Sequence, residues 1–473
     1  MNLFSPEIFA LVCYLLFLFG SALFHYKKNQ DSADFIIGGR KMHFFVTALA
    51  AHASDMSSWL FLAYPAQIYL GGLENSWLAL GLILFMYLNW QFIAAPLRRE
   101  TAKFESLTLF SYFESVTKDT SGGIRLLTAV ISFFFYSVYI SAGVMGLGLL
   151  VQSLLGIPYL IAIFLGVLII IPFLLLGGFV TLAFADLTQG LFLLVIICLV
   201  PVLGWLHIPK SASFEPLYTG IDNFYPDSSL SWATALLLLT GWGLGYFGQP
   251  HILTKFMGID DPKQIPKSML VGMSWQTIAL LAATSIGLIG RMIFPQLVNP
   301  ELLFIELSKL TLNTFLLGFV LSAMIGVSIT STGAQILVVV SAIAEDFYKK
   351  LFYKEATNAE VVKITRYATL FVAAIAIGIA SLQLTTLFGL VSYAWFGLGS
   401  AFGPLVIACL IKKQLHRYSA YGGILVGGLT SALFPLLNPL IFSLVSLEIP
   451  ALIPAFCLSL ATIFGLEKAK LAT

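Results

Sequence analysis

Charge is what this chain has least of. Asp, Glu, Lys and Arg make up only 10% of its 473 residues, against roughly 25% in ordinary soluble domains. Long hydrophilic stretches are missing too: the largest loops span about 97–123, 208–228 and 345–361, none long enough for a soluble domain. Cysteine is scarce, and Cys13, Cys198, Cys409 and Cys457 all fall inside apolar runs at no metal-binding spacing, so they read as lipid-facing or core residues. There is no HExxH, P-loop, dinucleotide glycine fingerprint or CxxC, so nothing points to an enzyme. His52 and His251 have no metal-ligand partner at useful spacing. No ring of charges or repeated filter sequence suggests a passive channel. A net charge of +2 gives no nucleic-acid footprint. The first apolar run is followed rather than preceded by its basic residues and shows no small-residue cleavage site, so it is not a signal peptide.

What is present is hydrocarbon. The chain is 59% hydrophobic, with a mean hydropathy of +0.94. Thirteen apolar runs recur, at about 6–26, 43–70, 74–96, 124–153, 158–178, 183–207, 229–255, 268–294, 303–344, 362–382, 385–411, 416–436 and 445–466. Runs of about 20 residues can cross ~30 Å of hydrocarbon. The ninth is too long for one straight span, and its start, with Glu306 and Lys309, reads as a separate interfacial helix. The thirteenth is cut by Pro450 and Pro454. With an external N-terminus, 22 of the 25 Lys and Arg fall in inner loops, leaving only Lys210, Arg291 and Lys309 outside. The positive-inside rule therefore orients the chain N-out and C-in, in agreement with an odd number of spans. The loop at 97–123 holds Ser106-Leu-Thr-Leu-Phe-Ser-Tyr-Phe-Glu114, an amphipathic piece suited to the inner membrane surface.

The second span carries a carboxylate at bilayer depth. In Phe45-Val-Thr-Ala-Leu-Ala-Ala-His-Ala-Ser-Asp-Met-Ser-Ser-Trp59, Asp55 is flanked by His52, Ser54, Ser57 and Ser58. A charge there costs at least ~2.5–3.5 kcal/mol and is kept only where it faces protein, a partner or an ion. The residues around it compete for backbone hydrogen bonds, which favours an interrupted helix. The seventh span carries Thr240-Gly-Trp-Gly-Leu-Gly-Tyr-Phe-Gly-Gln-Pro-His251, with four glycines and a proline in twelve residues. Breaks five spans apart suit two inverted repeats, spans 2–6 and 7–11, as in secondary transporters whose ions and substrates sit at discontinuous helices. The domain reading is one membrane domain: 1–42 first helix and inner loop, 43–207 repeat one, 229–411 repeat two, 412–473 C-terminal helices.

Three constellations carry candidate chemistry, each with a packing alternative. Ser328, Thr330, Ser331 and Thr332 put four hydroxyls into five residues of the ninth span. Thr330 and Ser331 suit a hard cation, and equally suit hydrogen bonding between membrane helices. Trp242 and Tyr246 share a helical face as an aromatic wall, with glycines between them that let a ligand approach backbone. Tyr136 and Tyr139 stand among small residues on the fourth span. Asp186, near the inner end of the sixth span, either guides cations or caps a helix in contact with water.

With these residues in view, the chain resembles the sodium:solute symporter family, and within it the bacterial sodium/proline symporters. The matching stretches are Asp34-Phe-Ile-Ile-Gly-Gly-Arg40, Phe45 to Leu49, Ala53-Ser-Asp-Met-Ser-Ser-Trp59, Gly241 to Ile252, Phe304-Ile-Glu306 and Gly389-Leu-Val-Ser-Tyr-Ala-Trp395. The resemblance implies an all-α leucine-transporter-like fold and a sodium-coupled importer, in a bacterial-type inner membrane, of proline or a similar small amino acid. It implies sodium held by backbone oxygens of Ala53, Met56 and Val327 and hydroxyls of Thr330 and Ser331. It implies coupling through Asp55, Arg40 and Asp186, and substrate contacts from Ser57, Tyr139, Trp242 and Tyr246. Sodium, the solute and the lipid bilayer are the expected partners, with no nucleic acid, and the unit is expected to work as a monomer. Two departures lie beside the site: His52 and Ser58 stand where the proline symporters have glycine. The Thr330-Ser331 order also differs from the family's usual Ser-Thr or Ser-Ser, keeping both hydroxyls. Alternatives are another solute (a sugar, pantothenate or a carboxylate) and a transporter-like nutrient sensor.

Overall fold

The computed structural model describes residues 6–26, 36–210, 228–353 and 355–471. Most of the loop expected to face outward, together with Lys27, Lys28, Asp34, Phe35 and Lys354, lies outside the described residues.

Helices follow the apolar runs and break where the sequence carries glycine, proline or clustered hydroxyls. In order they are α1 (Pro6–Tyr26), α2 (Phe44–Met56), α3 (Tyr64–Gly71), α4 (Trp77–Leu88), α5 (Ala95–Lys103), α6 (Leu109–Thr117), α7 (Gly123–Leu155), α8 (Tyr159–Leu206), α9 (Ser229–Gly243), α10 (Pro250–Met257), α11 (Ile265–Ile293), α12 (Leu303–Thr311), α13 (Thr314–Ser341), α14 (Asn358–Leu382), α15 (Leu387–Lys412), α16 (Arg417–Val445) and α17 (Leu452–Leu471). Wider π-helical turns at Trp59–Ala63 and Asn89–Ala94 lead into α3 and α5. Among the described residues, nine helical runs are long and apolar enough to cross a bilayer, and Pro6–Ser21 and Tyr159–Leu175 are shorter apolar helices. The long α8 is interrupted at Gly178 (φ 60°, ψ −166°), a conformation that requires glycine, so its two halves correspond to the fifth and sixth apolar runs.

The ninth run divides in two: α12 ends at Thr311, and the Asn313 side chain caps α13 by accepting from the Leu316 N–H. Pro454 falls in the first turn of α17, where its missing N–H costs nothing. The helix expected in the loop at 97–123 forms as α6, with a capping box between Thr108 and Ser111, but it does not lie on a surface. Leu109, Phe110, Tyr112, Phe113 and Val116 are all buried, and Arg125 of α7 binds Glu114 at 2.7 Å and Asp346 at 2.8 Å. The segment is part of the core because both its faces find protein.

The outer surface is oily: Leu168, Val195, Leu206, Leu281, Phe371, Leu436 and Leu440 are all more than half exposed, as lipid-facing residues are. The interior relies on small residues where helices cross. A β-carbon at Gly81 of α4 would collide with the Leu239 carbonyl of α9, and one at Gly248 with the backbone of Gly399 and Gly403 in α15. Backbone cannot rotate away as a side chain can. Gly81→Val is therefore expected to destabilise the folded protein by about 1–3 kcal/mol or more. Gly378→Ala on α14, where nothing stands within 4 Å, is expected to be neutral or mildly stabilising. Thermal unfolding in detergent, followed by tryptophan fluorescence, checks both.

Candidate functional site at the two helix breaks

The first break is centred on Ser57. It ends α2 with φ +42° and ψ −152°, an unusual state for a non-glycine residue, held here by burial. The second runs from α9 through a tighter 3₁₀ turn, Leu244–Gly248, to Gln249, whose extended backbone (φ −87°, ψ 104°) is what a following proline demands. Pro250 then opens α10. α15 holds the second break from the side: the Gln249 amide donates to the Trp395 carbonyl at 3.0 Å, and the Trp395 indole donates to the Trp242 carbonyl at 2.9 Å.

Between the breaks lies a narrow cavity, with room for about one water. Asp55 and Met56 of α2, Tyr139 of α7, Trp242, Tyr246 and Trp395 line it. The Tyr246 hydroxyl donates to Asp55 Oδ2 at 2.6 Å, joining the two breaks across 191 residues of sequence. Above it the Trp242 ring packs on Trp59 (centroids 5.3 Å apart) and Phe388 (5.0 Å). Trp242 and Phe388 also floor a wide vestibule of about 740 Å³, edged by Gln67, Glu74, Asn75 and Glu448. Trp242 thus separates an open approach from a small, mostly apolar chamber with one carboxylate.

A second, equally narrow cavity lies beside the first, lined by Ala53, Met56, Ser57, Gly190, Trp275 and Val327 among others. Three of the residues expected to hold sodium therefore meet at one place, and Met56 borders both cavities. Ser57 falls on this second cavity, away from Tyr139, Trp242 and Tyr246. Thr330 and Ser331 do not line it. Ser331 donates back to the Val327 carbonyl at 2.7 Å, and Thr330 donates to Gln189 Oε1 at 2.8 Å.

Asp186 is fully buried, well inside α8 and 3.1 Å from the Lys255 ammonium of α10. It is an ion-paired carboxylate, not a helix-end cap in contact with water. Arg40 reaches neither cavity: its guanidinium donates to the carbonyls of Thr101 and Ser106, each at 2.9 Å, and so ties the segment before α2 to the segment before α6. Nor do the glycines of the second break open a path to backbone. Gly241 meets Pro450, Gly243 meets Phe85, and Gly245 meets the Trp395 ring, so they serve close packing.

Several site residues were not among those singled out from the sequence. Gln276 of α11 donates to the Tyr246 hydroxyl at 3.2 Å, and Gln189 receives Thr330. Each is an amide within a membrane-length apolar run, and the reasoning that found Asp55 applies to them. Lys255 was hidden because it sat among loop cations.

The sequence profile of the sodium:solute symporter family matches residues 35–427. The sodium/proline symporter of Escherichia coli is 35% identical over 89% of this chain and 86% of its own length. That of Haemophilus influenzae is 35% identical over 90% and 88%, and the high-affinity proline transporter of Bacillus subtilis 33% over 86% and 87%. Among solved structures, a substrate-bound outward-open sodium-coupled sialic acid symporter matches with a TM-score of 0.76 at 14% identity, covering 97% of both chains. A nucleobase-cation-symport-1 family transporter in a closed conformation matches with a TM-score of 0.53 at 13% identity, over 93% of this chain and 96% of its own. The fold is therefore the all-helical, leucine-transporter-like one.

Proposed function

Since the chain belongs to the sodium:solute symporter family, and is thus a multi-pass membrane transporter with sodium as co-substrate rather than an enzyme, we propose that the solute it imports is proline or a similarly small neutral amino acid. The observation that carries this reading is the chamber at the breaks, with Trp242, Trp395 and Tyr139 as walls and the Asp55–Tyr246 pair as its polar edge. A compact hydrocarbon ring suits such walls, and a zwitterion suits a site with one carboxylate and interrupted helix ends. A sugar would need a partner for each buried hydroxyl, and few are on offer. The names of the relatives, at 33–35% identity, support the same solute.

The ion site we assign to the cavity at Ala53, Met56 and Val327, with Ser331 and Thr330 turning toward it when the cation binds. Sodium there would brace α2 against α13 and stiffen the Ser57 break. Solute would then meet a formed chamber and lose less ordering entropy, which is positive coupling. One cation entering across 100 mV releases roughly 2.3 kcal/mol, and the concentration gradient adds to it. The charge bias of the loops supports N-out, C-in insertion in a bacterial-type inner membrane, with the vestibule over Trp242 on the outside.

Labelled proline uptake into proteoliposomes, with and without an inward sodium gradient, tests the assignment. Gradient-dependent uptake, competed by proline and not by glucose or galactose, is expected. Competition by a sugar and none by proline would overturn the solute while leaving the family standing. Thr330→Val and Ser331→Ala are each expected to raise half-saturating sodium by about tenfold, a loss of ~1.4 kcal/mol, and Ser328→Ala, whose hydroxyl bonds only to the Met324 carbonyl, by much less. Equal effects at all three positions would point to helix packing.

A further inference from the structure

The hydroxyl that touches Asp55 is the end of a longer buried chain, and its chemistry fixes a direction. An indole N–H can only donate. Trp90 Nε1 lies 3.1 Å from His52 Nε2, so Nε2 is the acceptor and the imidazole carries its proton on Nδ1. Gln276 lies one turn beyond Gly272, the residue of α11 against which the His52 ring sits. His52 Nδ1 and Gln276 Oε1 are both buried, and each lacks a hydrogen-bond partner within bonding geometry: a donor and an acceptor are left over on neighbouring side chains. An amide has fixed polarity: with its oxygen toward His52, its NH₂ faces the Tyr246 hydroxyl, which it meets at 3.2 Å. A phenol that accepts from the amide spends its own proton elsewhere, here on Asp55 Oδ2 at 2.6 Å. The imidazole is seated deliberately: a β-carbon at Gly272, one helical turn before Gln276, would collide with it.

We propose that these two left-over groups close on each other, so that His52 and Gln276 are positioning residues that hold the Tyr246 phenol as a donor onto Asp55, through a one-way hydrogen-bond chain starting at Trp90. One carboxylate oxygen is thereby occupied and the side chain fixed, leaving Oδ1 for a cation or a solute ammonium. Reversing any single link would set two donors or two acceptors face to face in a dry interior. The links Trp90–His52, Gln276–Tyr246 and Tyr246–Asp55 stand on geometry, and the link His52–Gln276 is the inferred one; the consequence for sodium rests on the proposed reading of Asp55 as the coupling group.

The test uses purified full-length protein and two readouts. The first is the infrared carboxylate band of Asp55, assigned by difference against Asp55→Asn. The second is equilibrium binding of radioactive sodium. Gln276→Met, unbranched and of similar length, is expected to shift the band and raise half-saturating sodium by about fivefold. His52→Phe is expected to do the same to a smaller degree. Tyr246→Phe keeps the ring and its packing but ends the chain. In that background both substitutions are expected to change sodium affinity by less than about twofold. An unmoved Asp55 band in Gln276→Met and His52→Phe would overturn the proposal. So would effects that multiply undiminished in the Tyr246→Phe background, since only packing survives there. A band that shifts in a protein that binds no sodium would sink the coupling assignment and leave the chain standing.

Discussion

Asp55→Asn is expected to insert and fold normally yet lose sodium-driven uptake by at least about a hundredfold, equivalent to ~2.8 kcal/mol of coupling. The substitution is nearly isosteric. It keeps an oxygen to accept from Tyr246, which bonds to Asp55 at 2.6 Å, so the link between the breaks survives and only the charge goes. In a chamber walled by aromatic rings, a missing negative charge is poorly replaced by solvent. The measurement is proline uptake into proteoliposomes at varied sodium, beside thermal unfolding of the same preparation. Normal uptake with normal sodium dependence would make the carboxylate structural.

Lys255→Met is expected to be the more damaging change to the protein itself. The ammonium stands 3.1 Å from Asp186, and both side chains are almost wholly inaccessible. Removing one partner of a buried pair leaves an uncompensated charge, at a cost of about 3–5 kcal/mol, whereas replacing both with apolar groups is often neutral. The single variant should therefore be poorly recovered from membranes, and Lys255→Met with Asp186→Leu should be recovered near wild-type yield. Transport by the rescued double variant then separates structure from ion passage. Sodium-dependent uptake would mean that the pair only holds α8 to α10. Uptake abolished at full yield would mean that Asp186 lies on the ion route.

The fold was legible because its signals are strong and local. Membrane-length apolar runs, a carboxylate among them, and glycines ahead of a proline mark spans and breaks without knowledge of what packs on what. The site was legible only in part, because its contacts join distant segments. Asp55 could be named, but not its tie to Tyr246, which depends on how two interrupted helices approach. Ser57 went to the second cavity because of its left-handed backbone, a conformation that serine rarely adopts and that no serine-rich segment announces. The glycines between Trp242 and Tyr246 promised access to backbone, yet a glycine admits a neighbouring ring as readily as a ligand, and Trp395 took the space. Helix α6 had the alternation of a surface segment, and only the pairing of Arg125 with Glu114 and Asp346 explains how its polar side came to be buried.

The residues just before α2 and just after α10 are stitched together. Met42 pairs with Ile259 as a short parallel bridge, with Met42 N–H donating to the Gly258 carbonyl at 3.1 Å and Asp260 N–H to the Met42 carbonyl at 3.0 Å. Arg98 binds the Ile259 and Asp260 carbonyls from α5. These bonds remove a degree of freedom: α2 and α10, the stitched halves of the two interrupted helices, cannot slide past each other, so they are expected to travel as one lever arm with its pivot at the breaks. Spin labels placed on α2 and α10 near this stitch should keep a constant separation throughout the transport cycle, while either label moves relative to α13. With the cation site proposed at the first break, a machine built this way would turn one cation's arrival into a displacement of both.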